Sequence, residues 1–178
     1  MTAEQLDALI EHNWRTQVSP GDALWHLGDI GPNWGLLADL ADRKHLILAH
    51  AAVRPAAIRT SAIFETIAET HRLSSPAGEL LLINNPDLVP PGEPAAVVPG
   101  HHHYDPAKPG RHPVCVDHTA WAPTDLDALV RQIGQRGEKQ SRRQRPPQRS
   151  TISVGSDCHS ISICATFCSR TLARYTAS

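Results

Sequence analysis

The chain has 178 residues, 40% of them apolar and 20% charged, with a formal net charge of -1. That length buries the core of one ordinary domain, and the near-neutral balance excludes a molecule built as a whole for nucleic acid or an anionic membrane surface. No apolar run approaches the roughly 20 residues that cross a bilayer, the start MTAEQLDALIEH is no secretory signal, and four cysteines (Cys115, Cys158, Cys164, Cys168) form no disulfide framework, so a cytoplasmic protein is expected.

Residues 4–17 place Leu6, Leu9, Ile10, Asn13 and Trp14 at helical spacing, with Thr2 as cap. Turn chemistry at SPGD precedes a buried-strand candidate, 23–27, which Gly28-Asp29 ends. A short helix is expected over 34–42 and a strand over 44–49. Residues 61–73 fit an amphipathic helix with Ile63, Phe64, Ile67 and Ala68 inward. Further strands are expected at 79–84, 95–98 and 113–117, then a helix from Thr124 to Ile133, with Asp127 near its amino end. Strands alternating with helices define an α/β layered fold.

After Gly134 the apolar period stops. Lys139, Arg142, Arg143, Arg145 and Arg149 face a single acid, Glu138. The division is therefore a folded domain over 1–136 and a basic, Ser-rich tail over 137–178 with poor order. Within the tail, the apolar run 161–167 is compatible with an edge strand.

Polar residues wait just past each strand: Asp29 after the first, His50 after the second, Asn84 and Asn85 after the third, and GHHH after the fourth. Ligand and metal sites in layered α/β proteins gather outside the carboxyl ends of strands. In an extended segment His101 and His103 share a side while His102 points away into solvent. Any one of these residues is commonly just a turn former; the set of four points to a metal. His26 reads as a core-facing histidine, and His12, His45, His71, His112 and His118 read as surface. Cys158, His159, Cys164 and Cys168 lack the paired C-x-x-C spacing of a zinc site.

The blocks GDALWHLGDIG, DRKHLILAHAA, ELLLINNPDLVP and VVPGHHHYDPAKPGRHPVCVDHTAWAPTDLDALV resemble the calcineurin-like metallophosphoesterases, especially the small bacterial and phage type. The resemblance covers residues 4 to about 134. It implies a layered sandwich, central β-sheets flanked by helices, with a two-metal centre built from five blocks: D-x-H, G-D, G-N-H-D/E, a lone His and G-H-x-H. Asp29, His101 and His103 match as they stand. His50 stands at the Asn of G-N-H-D/E, Ala51 at its catalytic His, Ala52 at its acid, and Asn85 at the lone His. The D-x-H strand has no counterpart ahead of the first helix, which implies a diverged member truncated before that strand, an unfilled edge beside 23–27 and a possible homodimer there.

The implied metal site is Asp29, His50, Asn85, His101 and His103, holding at most one divalent transition ion (Mn, Fe, Ni or Zn), with no catalytic residue retained. The function implied is metal-dependent hydrolysis of a phosphomonoester or phosphodiester, with a phosphoester or nucleotide as substrate. The alternative is a non-catalytic pseudoenzyme or an incomplete gene product that binds a partner. No membrane partner is expected, and nucleic acid only through the basic tail.

Overall fold

A computed structural model describes residues 2–30, 34–40, 43–48, 55–93, 95–101, 109–144 and 161–164. Helix α1 (Ala3–Gln17) opens the chain, and Thr2 and Gln5 form a reciprocal capping box at its start. Strand β1 (Ala23–His26) follows, then a 3-10 turn (Trp34–Asp39), β2 (Arg43–Ile47) and the short helix α2 (Pro55–Thr60). Next come β3 (Thr66–Ala68), β4 (Thr70–Ser75), β5 (Gly78–Ile83) and β6 (Ala96–Pro99). The short β7 (Thr124–Asp125) leads into α3 (Leu126–Gln144), and β8 (Ile161–Cys164) is the last element.

The fold is mixed α/β with two small sheets. The first has the order β3-β2-β1-β8-β7 and the second β4-β5-β6. β1 runs parallel to both β2 and β8, whereas β7 is antiparallel to β8. In the second sheet β4 and β5 form an antiparallel hairpin and β6 runs parallel to β5.

Alternation along each strand divides the core. Trp25, Leu27 and Ile47 of the first sheet share a cluster with Leu80, Leu82 and Val98 of the second and with Leu126, Leu129 and Ile133 of α3. Leu24 and Leu46 point the other way, to Trp14 and Val18 from the first helix region and to Leu37, Ile58 and Phe64. β1 is thus buried on both faces, as its short apolar run requires.

Four expectations need correction. Residues 61–73 are not a helix: they form β3 and β4, and β4 alternates between exposed and half-buried positions. Residues 113–117 are not a regular strand. The chain lies along β6 through Val97 N–H to Gly110 O, His112 N–H to Val97 O and Val114 N–H to Pro99 O, then tightens into a 3-10 turn at Val116–His118. The last helix does not stop near Ile133 but continues to Gln144, so a boundary after 136 falls inside it. Finally, the edge of β1 is not open: β8 fills it, with Ala23 opposite Ile161 and His26 opposite Cys164. Among the described residues no helix is long and apolar enough to cross a membrane.

Candidate functional site

The site starts with a turn. After β1 the chain passes through Gly28 at φ 94° and Asp29 at φ 53°, two consecutive left-handed residues. Glycine adopts this region freely, and aspartate is one of the few other residues that tolerates it. Gly28 has a second constraint, because a Cβ there would stand 2.4 Å from Asn84 Nδ2 and 3.1 Å from Ile47 O. The turn leaves Asp29 with its side chain only 14% exposed.

β6 delivers the partner. Beyond Pro99, Gly100 presses against β1: a Cβ on it would lie 2.5 Å from Leu27 O. From below, the buried Cys115 thiol donates to Gly100 O at 3.0 Å. His101 then emerges half-exposed, with Nδ1 2.7 Å from Asp29 Oδ2. Because a carboxylate only accepts, the bond requires a proton on Nδ1. The two sequence-expected residues that match the G-D and G-H blocks therefore meet at the ends of strands from different sheets.

The other expected residues divide. His50 and His103, with the neighbouring His102, lie outside the described residues. Asn85 is described but turned to local use: its Oδ1 accepts the Asp87 N–H at 2.9 Å and caps the 3-10 turn Pro86–Leu88. Its neighbour Asn84, 4% exposed, is the asparagine facing the site, donating Nδ2 to Leu27 O at 2.8 Å. Strand parity carries the signal: Leu80 and Leu82 face the core between the sheets, and Asn84 continues that series while Asn85 continues Leu81 and Ile83.

His26, three positions before Asp29, is core-facing as its apolar setting suggests. Neither ring nitrogen has a hydrogen-bond partner. Burial pushes its pKa down to about 4, opposed by the Asp29 carboxylate. Three histidines expected at the surface are partly or wholly covered. His45 and His71 stack on Trp25 with ring centroids 4.5 Å and 4.0 Å away, and His112 is buried, which lowers its pKa. For His45 and His71 the position follows strand parity, which polar character alone conceals.

The donor set is small. No group of three or more His, Cys, Asp or Glu able to hold a metal occurs among the described residues. Asp29 and His101 converge, but about three protein ligands are the usual minimum for a catalytic zinc-type ion. The described residues alone do not make such a site.

No family model matches the chain. No curated protein matches it either. Its fold is similar to that of a solved structure, the protein of unknown function AQ665 from Aquifex aeolicus. The TM-score is 0.53 at 17% identity, over 66% of this chain and 79% of that one. At that identity the likeness concerns the fold alone, an α/β arrangement with paired sheets and helices.

Proposed function

We propose that this chain is a diverged protein of the calcineurin-like metallophosphoesterase type, with a layered sandwich fold and metal-dependent hydrolysis of phosphoesters as its activity. The observation that carries the reading is the 2.7 Å meeting of Asp29 with His101 across the ends of β1 and β6. Sequence blocks 72 positions apart have little other reason to bring a carboxylate and an imidazole together in a bend where glycines keep side chains out. The shared core of the two sheets is compatible with the sandwich.

The proposed ligands are Asp29, His101, His50 and His103. A divalent transition ion held by them would neutralise charge on the phosphoryl oxygens of the substrate. Ala51 offers no side-chain acid to the leaving group, a contribution typically worth ~10²–10⁴-fold in rate, so turnover is slow.

The test is metal content and metal-dependent turnover of an activated aryl phosphodiester by the purified chain. Bound Mn or Co, with slow turnover lost on His101→Ala, is the expected result. A chain that binds neither metal and turns over nothing overturns the reading in favour of a pseudoenzyme, which the sequence His50-Ala51-Ala52 favours.

A further inference from the structure

We propose that Asn84 is the positioning residue that holds Asp29 and His101 at bonding distance; the inference rests on the reading of that pair as the core of the site. Asn84 holds both sides of the bend, one through its side chain and the other through its main chain. Its Nδ2 donates to Leu27 O at 2.8 Å, two positions before Asp29. Its backbone oxygen accepts the N–H groups of His101 at 3.0 Å and Gly100 at 3.2 Å. One residue at the end of β5 therefore sets the end of β1 through its side chain and the end of β6 through its main chain.

The chemistry of the position is specific. Leu27 O is an acceptor in a buried setting, so its partner has to be a donor, and an unpartnered buried carbonyl costs about 1–3 kcal/mol. The surrounding space is closed: Gly28 has no room for a Cβ because of the Asn84 amide, and Gly100 has none because of Leu27 itself. Asparagine fits, being short, uncharged and able to donate. Aspartate has the same shape but is an acceptor, and would set a carboxylate oxygen against the Leu27 carbonyl. The two glycines and the asparagine thus work as one joint, and Asn84 is the member with a group that can be altered at constant shape.

The consequence can be read without metal or substrate. With Nδ1–H donating to Asp29, neutral His101 is held in the Nδ1–H tautomer, the less common form of a free imidazole. In ¹⁵N spectra of histidine-labelled protein at a pH where the ring is neutral, wild type should show that tautomer at His101. Asn84→Asp should return the ring to the Nε2–H form while the remaining histidine signals stay in place. In Co-loaded protein the same substitution should weaken metal binding by about 10–100-fold, the usual consequence of losing a group that orients a ligand. A folded Asn84→Asp protein that keeps the Nδ1–H tautomer overturns the proposal. If that variant does not fold, amide exchange in wild type decides: a His101 N–H bonded to Asn84 O exchanges slowly, and exchange at the rate of an open chain overturns the proposal. Wild type that binds no metal yet shows the tautomer and its loss would sink the phosphoesterase reading and leave this inference standing.

Discussion

His101 Nδ1 and Asp29 Oδ2 stand 2.7 Å apart although 72 positions of sequence separate them. The contact joins the ends of strands from the two sheets, and its His101 side is half-exposed, with 49% of the side chain accessible. An exposed pair of this kind stabilises a fold by only about 0–1 kcal/mol. In the proposed metal site its contribution would be larger, because a carboxylate and an imidazole are both metal donors.

The first prediction separates those two roles. Asp29→Asn and His101→Ala should unfold within about 1 kcal/mol of wild type in urea. Asparagine is the substitution of choice at 29, since it tolerates the left-handed φ of 53°. Both variants should lose bound Mn or Co and the associated phosphodiesterase activity. Unchanged metal content in either variant would show that the ligands lie elsewhere.

Gly28→Ala should be far more costly than Gly21→Ala. Both glycines have left-handed φ, 94° and 95°, so both changes incur the ~1–2 kcal/mol backbone penalty. Only at Gly28 does the new methyl also meet atoms, at 2.4 Å from the Asn84 amide, whereas Gly21 has nothing within 4 Å. The added overpacking is worth about 1–3 kcal/mol, and the displaced Asn84 should disturb His101 as well. Equal urea midpoints for the two variants would contradict the close approach.

Much of this was legible in the sequence, for identifiable reasons. The bounds of α1, β1, β2, β5 and β6 fall within two residues of those observed, α1 because its helical spacing starts at a capping Thr2 and the strands because each is a short run bounded by turn formers. The region 61–73 was not legible from spacing. Ile63, Phe64, Ile67 and Ala68 satisfy a helical period, but Thr66, Ile67 and Thr70 are β-branched and the hairpin closing at Gly78, with φ 106°, supplies a partner strand. α3 runs past its apolar period because Gln, Arg, Lys and Glu are good helix formers. At the site, Asp29 and His101 could be named from strand ends alone. Choosing Asn84 over Asn85 needed the pleat of β5, and the contact of His101 with Asp29 needed the second sheet.

The third prediction concerns acid stability. His26 has an ordinary pKa of 6.5 when unfolded, and burial lowers it to about 4 in the native protein. Between those values the unfolded chain holds a proton that the native chain does not. Stability therefore falls as pH drops from 6.5 toward 4, by up to about 3 kcal/mol, and is fully present above 6.5. His26→Leu removes the buried imidazole and its two unpartnered nitrogens. It should flatten this part of the acid limb, read as urea midpoints at pH 7 and pH 4.5. A wild-type midpoint that does not change over that interval would show that His26 is hydrated or bonded in solution.

The last prediction concerns the strand slot beside β1. β1 is buried on both faces and has β2 on one side, so an empty slot on the other would expose a row of unpaired amides and carbonyls. β8 fills that slot, pairing Ile163 with Trp25 on one side and with Thr124 on the other. A proline in an internal strand cannot donate to the ladder, so the position at which proline is damaging identifies the strand in the slot. With residues 161–164 there, Ile163→Pro should lower the urea midpoint and promote self-association. An unchanged midpoint together with an unchanged oligomeric state would show that β8 does not complete the sheet.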